Sequence, residues 1–177
     1  MAIFVEEKKM WDPGLFDDPP RIWQVSSVGA LLHWGDLLYD PYVLTVLRAE
    51  EDVWGLPAGR IEPEDKTAEE GVAREVLQET GLEIGAECFK LLLQVNHPKN
   101  LSLTRLIFSA PIDYPTWTGL GAGNLSGEIN LYKPNREVRK IAMVRASDAF
   151  TYGAEIAPTF KPDIWTAVRL YLGYHNI

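Results

Sequence analysis

Cysteine is almost absent from this sequence, and histidine is scarce. Cys88 is the one cysteine among 177 residues, and there are three histidines. A single cysteine excludes an internal disulfide and also a metal site built from several thiolates. Because disulfides persist in oxidising compartments, their absence makes a reducing compartment the natural expectation.

Positive charge and long apolar runs are lacking as well. The chain carries 17 Lys and Arg against 25 Asp and Glu, a formal net charge of −8. This balance argues against broad binding to nucleic acid, which needs a basic face, but a bound cation could still bring a small phosphate ligand into an acidic pocket. No stretch approaches membrane-spanning length, and the apolar residues 2–5 are too few for a signal peptide. A cytoplasmic protein with no membrane contact is expected.

The order of apolar segments predicts one α/β domain over residues 23–177. Strands are predicted at 22–34, 42–48, 88–95, 101–112 and 140–144, and helices at 68–80 and 163–171. Strands on both sides of a central helix indicate a mixed sheet covered by helices. Residues 1–22 are interrupted by prolines and predict an arm that packs on the domain or on a partner subunit. Residues 111–137, rich in Gly and Pro, predict a long loop that is either a functional lid or partly disordered.

The helix at 68–80 carries a pair of carboxylates on one face. Thr67 and Glu70 form a capping-box pattern at its start, and Gly81 is a typical C-terminal stop. Glu75 and Glu79 are four residues apart, so they lie side by side and repel each other. A hard divalent cation such as Mg²⁺ would turn this repulsion into coordination. Taken alone, however, such a pair is more often a solvated helix face.

The residues before this helix strengthen the interpretation as a metal site. Residues 55–59 form a glycine-punctuated turn that can bring backbone groups close to a ligand. Arg60 and Arg74 add guanidinium groups that suit phosphate.

Residues 56–82 resemble a Nudix box, the signature of the Nudix (MutT-like) hydrolase superfamily. The matching positions are Gly59, Arg74, Glu75, Val76, Glu79, Gly81 and Leu82. The strand that ends at Arg48 and the Trp54 and Leu56-Pro57 that follow also resemble the usual entry to the box. The resemblance implies an α/β/α sandwich around a mixed sheet, with the helix at 68–80 closing one side of the active-site cleft.

Two positions depart from the box pattern. One extra residue separates Gly59 from Arg74, so the first glutamate of the box falls on Asp65, which could substitute for it, or on Lys66, which could not. The first of the two adjacent glutamates near the end of the box is Gln78, which keeps a carbonyl acceptor but loses the charge. Cation affinity should therefore be lower than in a complete box.

The resemblance implies roles for the box residues. In the family the helix glutamates bind divalent cations, and a glutamate or a metal-bound water supplies the nucleophile. Carried over, Glu75 and Glu79 would be metal ligands for Mg²⁺ or Mn²⁺, with Glu75 also a candidate base. The Gly59 carbonyl and Gln78 would be further ligands, and Arg74 would orient the neighbouring acid.

Other residues are candidates for contact with substrate. Arg48 and Arg60 suit phosphate, while Tyr114 and Trp117 could stack on a base or ring. A further base often comes from a loop beyond the box in this family, which makes Glu128 and Glu137 candidates. A solvated loop carboxylate is the simpler interpretation of each.

The sequence therefore predicts divalent-metal-dependent hydrolysis of a diphosphate linkage in a small nucleotide. ADP-ribose or a nucleotide sugar is favoured over nucleoside triphosphates, because some ADP-ribose-cleaving members place a proline about where Pro98 stands and because the loop at 111–137 is large. The alternative is a catalytically weakened Nudix-like module that binds a nucleotide and regulates, and Gln78 and the irregular box spacing motivate it. A homodimer through residues 1–22 is a further possibility.

Overall fold

A mixed β-sheet dominates the computed structural model, which describes residues 25–35, 41–50, 53–97, 100–119, 128–130 and 137–146. The strands in these ranges are β1 (Val25–Trp34), β2 (Tyr42–Arg48), β3 (Trp54–Gly55), β4 (Ala58–Arg60), β5 (Lys90–His97), β6 (Asn100–Pro111), β7 (Glu128–Asn130) and β8 (Val138–Arg145). The helices are α1 (Ala68–Thr80) and α2 (Tyr114–Gly119), and a single 3₁₀ turn spans Ala86–Cys88. Neither α1 nor α2 is long enough to span a bilayer.

The sheet has the order β5-β6-β1-β2-β8-β7, with β3 paired to β2 and β4 paired to β1. The pair β1–β6 is parallel, and the other described pairs are antiparallel. This confirms the predicted mixed sheet. The central strands β1 and β2 are flanked on both sides, so they are buried along most of their length and are rich in Val and Leu.

Helix α1 packs on one face of the sheet, and the side chains between them form the main core. This cluster includes Val28, Ala30, Leu32, Leu44, Val46, Val72, Val76, Leu106, Phe108 and Met143. Because side chains alternate along a strand, Ser27, Gly29 and Leu31 of β1 project to the opposite face. We call these two sides the α1 face and the opposite face. Burying one such aliphatic side chain contributes roughly 1.5–3 kcal/mol, so the core fixes α1 firmly against the sheet.

Helix α1 has the predicted bounds, and its caps explain why. The Thr67 hydroxyl accepts a hydrogen bond from the Glu70 amide at 3.1 Å, and the Glu70 carboxylate accepts one from the Lys66 amide at 2.8 Å. The helix ends at Gly81, whose φ of 76° lies in the left-handed region that glycine adopts without strain.

Some predicted elements differ from the structure. The apolar run that predicted a strand from Cys88 begins instead with the 3₁₀ turn, and Cys88 is exposed because the strand starts at Lys90. The stretch 111–137, predicted as one loop, contains α2 and β7. The predicted arm 1–22, the helix at 163–171 and Pro98 lie outside the described residues.

Candidate active site

The box turn fills a gap between the two central strands. Strands β1 and β2 pair where His33 faces Val43 and Trp34 faces Tyr42. Farther along, β3 pairs with β2 and β4 pairs with β1, so residues 53–60 form a wedge between the strands. Helix α1 lies against this wedge and brings its carboxylates to it.

The backbone direction of β4 decides which of its carbonyls faces the helix carboxylates. The Ala30 amide donates to the Pro57 carbonyl at 2.8 Å, and in an antiparallel ladder the residue two positions along also turns its polar groups to the partner strand. Gly59 therefore directs its N–H and C=O towards β1. The Ala58 amide instead donates to Glu79 Oε2 at 2.9 Å, and the Ala58 carbonyl accepts from Arg48 Nη2 at 2.7 Å. The backbone carbonyl that lies on the side of Glu79 and Arg48 is thus that of Ala58, whereas the sequence named the Gly59 carbonyl as a candidate ligand.

Gly59 has a different role, which is steric. Its Cα lies directly against the Glu75 carboxylate, and a Cβ built at this position would overlap the carboxylate atoms. Glycine is required here because α1 approaches β4 closely. The φ of Gly59 is not positive, so its backbone conformation alone does not demand glycine.

Glu79 is enclosed by the wedge and by the end of β2. Its side chain is 1% exposed, and Glu79 Oε1 accepts a charged hydrogen bond from Arg48 Nη1. Burial raises the pKa of Glu79 to about 7, against the opposing effects of Arg48 and the Ala58 amide. The nearby charge of Glu75 contributes to this rise. The carboxylate is therefore costly to keep ionised, and a second cation nearby would relieve that cost.

Glu75 lies one turn earlier on α1 and is also buried, at 5% exposure. Burial raises its pKa, while the hydrogen bond from Arg74 Nη1 to Glu75 Oε1, 2.8 Å long, opposes the shift. The charges of Glu137 and Glu62 raise the pKa further, so both acids lie close enough to act on Glu75.

Asp65 resolves the irregular spacing of the box. It accepts hydrogen bonds from Arg74 Nε at 3.1 Å and Arg74 Nη2 at 2.9 Å, and another from the Glu62 amide at 2.8 Å. Burial alone would raise the pKa of Asp65, but these hydrogen bonds and the charge of Arg74 lower it. Lys66 is exposed. Of the two positions that the sequence left open, Asp65 is the one that engages Arg74, and it holds that arginine beside Glu75.

Glu137, one of the two acids that the sequence offers as a further base, lies next to the site. Its carboxylate lies 4.0 Å from Arg48 Nη1 and is 69% exposed, and its backbone carbonyl accepts from the Ala49 amide at 2.7 Å. Glu128, the other candidate, is described only through its backbone pairing with Ala142 in β8. The local signal that favours Glu137 is its place immediately before β8, the strand paired with the end of β2.

The donor set around Glu79 fits a divalent cation. The Arg48 guanidinium lies among Glu79 Oε1, the Ala58 carbonyl and, at 3.5 Å, the Leu56 carbonyl, so a positive group already stands among these oxygens. Arg48 Nε is buried and has no hydrogen-bond partner in the described structure. Within the described ranges no group of three or more His, Cys, Asp or Glu side chains is arranged to hold a metal. A cation here would thus be completed by waters and substrate oxygens, as Mg²⁺ usually is.

Two predicted residues lie at the border of this site. Gln78 is exposed on α1, and its Oε1 lies 3.3 Å from Arg74 Nη1, beside the Glu75 carboxylate. Arg60 is exposed, and its backbone carbonyl accepts from Arg74 Nη2 at 2.8 Å. Its side chain starts from the opposite face of the sheet, because it follows Gly59 in the strand.

The two aromatic candidates are not brought to the carboxylates. Trp117 is 0% exposed and belongs to the core cluster, so its predicted stacking on substrate is wrong: α2 turns the indole inward. Tyr114 is exposed but lies next to Trp34, with ring centroids 6.5 Å apart. Trp34 pairs with Tyr42, which lies six residues, roughly 20 Å, from Arg48 along β2. Tyr114 therefore lies at the other end of the sheet.

Comparison with known proteins agrees with this architecture. The NUDIX domain family matches residues 27–155. A MutT-like protein from Streptomyces ambofaciens is 38% identical over 65 residues, and the match spans 37% of this chain and 38% of that protein. The bifunctional NMN adenylyltransferase/ADP ribose pyrophosphatase from Francisella tularensis, solved with AMP and Mn ion, has a TM-score of 0.57 at 16% identity and covers 85% of this chain and 41% of its own.

A second solved structure has a similar fold. The NUDIX domain of Shewanella oneidensis NrtR, solved with ADP ribose, has a TM-score of 0.50 at 20% identity, covering 80% of this chain and 82% of that one. At these identities the solved structures establish the fold, and the family match extends over more than half of the chain. The chain belongs to the Nudix domain family.

Proposed function

We propose that this protein is a hydrolase that cleaves a diphosphate linkage in a small nucleotide with the help of Mg²⁺ or Mn²⁺. One observation carries the proposal: two buried carboxylates, Glu75 and Glu79, lie against the strand β4, and the Arg48 guanidinium is held between Glu79 and the Ala58 carbonyl. Family membership supports it. Hard oxygen donors of this kind are those that Mg²⁺ and Mn²⁺ prefer.

The residues that would hold the cation are Glu75, Glu79 and the Ala58 carbonyl, with Gln78 at the exposed side. A bound cation would stabilise charge on the phosphoryl oxygens and lower the pKa of a water that attacks them. Arg48 then has to leave Glu79 at least in part. Its guanidinium is next to the same oxygens, so a short displacement would turn it towards a substrate phosphoryl group.

Glu75 is the favoured base. Its pKa is raised by burial, which makes it a better proton acceptor than an exposed glutamate. Arg74 holds Oε1, and Asp65 holds Arg74, so the carboxylate is fixed in direction. Glu137 is the second candidate, because its carboxylate is exposed and lies 4.0 Å from Arg48 Nη1. Arg74 would act as a positioning residue that works through Glu75.

The substrate class we favour is ADP-ribose or a nucleotide sugar. The support is analogy: one solved relative is named as an ADP ribose pyrophosphatase, and another was solved with ADP ribose. The net charge of −8 also favours a small ligand over a nucleic acid. A panel that shows turnover of nucleoside triphosphates alone would contradict this preference.

The proposal is tested by product release from a panel of nucleotides with Mg²⁺ or Mn²⁺. We expect nucleoside monophosphate release from ADP-ribose that is lost on chelation and reduced by at least about 100-fold in Glu79→Gln. The matched control is Glu87→Gln, which removes the same charge from the exposed 3₁₀ turn and should leave the rate unchanged. No turnover of any compound by the metal-loaded protein would overturn the proposal.

A second candidate function is a nucleotide-binding module with little catalysis. Gln78 removes one anion from the site, and both Glu79 oxygens already have protein partners, which favours a resting state without metal. Gln78→Glu separates the two functions. A weakened hydrolase should gain rate and metal affinity, whereas a binding module should bind nucleotide and remain inert.

A further inference from the structure

Arg48 holds the same oxygens that the proposed function assigns to a divalent cation. Its Nη1 donates to Glu79 Oε1, and its Nη2 donates to the Ala58 carbonyl at 2.7 Å. A cation bound to Glu79 Oε1 would lie within about 5 Å of that Nη1, given ordinary coordination and hydrogen-bond lengths. Two positive charges at this separation repel each other, so the guanidinium has to leave Glu79 when a cation binds. Arg48 then needs a second acceptor.

Glu137 lies where the displaced guanidinium needs that acceptor. Its Oε2 is 4.0 Å from the same Nη1, and among the described residues the carboxylates within this distance of Arg48 are those of Glu79 and Glu137. A shift of about 1 Å would bring Nη1 and Oε2 to hydrogen-bond distance. The Glu137 carboxylate is exposed, and a carboxylate accepts up to about four hydrogen bonds, so it can take the guanidinium in addition to its other interactions.

The backbone keeps Glu137 beside Arg48. The Ala49 amide donates to the Glu137 carbonyl at 2.7 Å, and Arg48 pairs with Val138 in the antiparallel ladder of β2 and β8. The backbone on both sides of the contact is therefore fixed by the sheet. A rotation of the Arg48 side chain alone, without movement of the backbone, can carry its Nη1 from one acid to the other.

The contact of Arg48 with Glu79 does not satisfy the whole guanidinium. Arg48 Nε is buried and has no hydrogen-bond partner in the described structure. A buried donor without a partner is unfavourable, and a move towards the exposed carboxylate of Glu137 would bring Arg48 closer to water. The position of Arg48 on Glu79 is therefore one that a competing cation can displace.

We propose that Glu137 is a positioning residue that acts through Arg48. Arg48 pairs with Glu79 in the metal-free protein and with Glu137 when a divalent cation, but no substrate, is bound at Glu79. Glu137 then sets how readily the site accepts the ion, without binding the ion and without acting as the base. The inference deepens the proposed function and rests on it for the position of the ion.

Binding of Mn²⁺ in the absence of nucleotide tests this exchange apart from catalysis. Titration calorimetry would measure the Kd of Mn²⁺ for the native protein, Arg48→Gln, Glu137→Gln and the double variant. We expect Arg48→Gln to bind Mn²⁺ about tenfold more tightly, because the competing cation is gone. Glu137→Gln should weaken binding about tenfold in the native background, but at most about threefold in the Arg48→Gln background, where only the loss of its charge acts. At saturating Mn²⁺ the kcat of Glu137→Gln should stay within a few-fold of the native value.

The matched control is Glu62→Gln. Glu62 is also exposed and its charge also raises the pKa of Glu75, but its carboxylate contacts Arg74 and not Arg48. Removing this charge should therefore change the affinity for Mn²⁺ by the same factor in the native and the Arg48→Gln backgrounds.

The outcomes separate this inference from the proposed function. Equal weakening by Glu137→Gln in both backgrounds, unchanged or weaker binding in Arg48→Gln, or no Mn²⁺ binding by any variant would overturn the exchange. The expected pattern in a protein that hydrolyses nothing would support the exchange and overturn the hydrolase. If Arg48→Gln fails to fold, crystals of the native protein soaked with Mn²⁺ decide the result. Arg48 Nη1 within about 3.2 Å of a Glu137 carboxylate oxygen would support the exchange, and any other position of Arg48 would overturn it.

Discussion

Replacing Gly59 with alanine tests the contact between β4 and α1 on which the site depends. The backbone of Gly59 is that of an extended strand with no positive φ, so alanine imposes no conformational strain of its own. Its added Cβ, however, would overlap the Glu75 carboxylate, which is buried and held by Arg74. Glu75 must therefore move.

The expected size of the effect follows from this overlap. Misplacing a reacting group by about 1 Å costs on the order of 100-fold in rate, or about 3 kcal/mol of activation free energy. Overpacking a buried site costs about 1–3 kcal/mol of folding free energy, which lowers the Tm of a chain of this size by a few degrees. We expect Gly59→Ala to lose about 100-fold in kcat, and a comparable share of Mn²⁺ affinity, while remaining folded.

The assay compares Gly59→Ala with Gly119→Ala, where a Cβ meets nothing within 4 Å and both kcat and Tm should be unchanged. A second comparison uses Glu75→Asp, whose shorter side chain leaves room for the Cβ. The destabilisation caused by Gly59→Ala should be smaller in the Glu75→Asp background, because the two positions are in contact. Equal destabilisation in both backgrounds, or full activity of Gly59→Ala, would refute the reasoning.

Three further predictions concern the acids and the amide of the site. In EDTA, the free energy of unfolding should fall by at most about 3 kcal/mol between pH 5 and pH 8. The pKa of Glu79 is about 7 in the folded protein and 4.5 in the unfolded chain, so protonation of Glu79 favours the folded state at low pH. This contribution is fully present below pH 4.5 and is lost as the pH rises through 7. Denaturant titrations at each pH measure it, and Glu79→Gln should make the slope shallower, leaving the part that comes from the raised pKa of Glu75. Gln78→Glu should tighten Mn²⁺ binding about tenfold by calorimetry, and weaker binding would show that Gln78 does not face the ion. Glu137→Gln should leave kcat within a few-fold of the native value and Tm unchanged, since Glu75 is the favoured base and the Glu137 carboxylate is exposed; a loss of at least about tenfold in kcat would instead assign the base to Glu137.

The elements that the sequence predicts with the correct bounds are those with strong local signals. Strand β2 contains the β-branched residues Val43, Thr45 and Val46, and α1 has a capping threonine at one end and a glycine at the other. The start of β5 was predicted wrongly because a short apolar run does not reveal where a strand begins. Cys88 is apolar enough to continue the run, yet the 3₁₀ turn leaves it in solvent.

The candidate site also has a part that local sequence predicts and a part that depends on tertiary contacts. The shared face of Glu75 and Glu79 follows from helical spacing alone. The carbonyl of Ala58 could not be chosen over that of Gly59, because the choice depends on how β4 pairs with β1. The contact of Arg48 with Glu79 joins residues 31 positions apart.

Tertiary packing also decides the fate of the loop candidates. Trp117 lies in a segment whose composition is typical of a loop, and only the packing of α2 on the sheet shows that its ring is buried. Glu137 and Glu128 are indistinguishable in sequence. The pairing of β8 with β2 brings Glu137 to Arg48.

The most direct test of the account is the position of Mn²⁺ in crystals of the protein soaked with the ion, read from its anomalous signal. The account predicts an ion bound by Glu75, Glu79 and the Ala58 carbonyl, with the Arg48 guanidinium displaced from Glu79 Oε1. An ion bound elsewhere, or Arg48 still paired with Glu79 at saturating Mn²⁺, would contradict the claim that this pair of carboxylates is the metal site of a hydrolase.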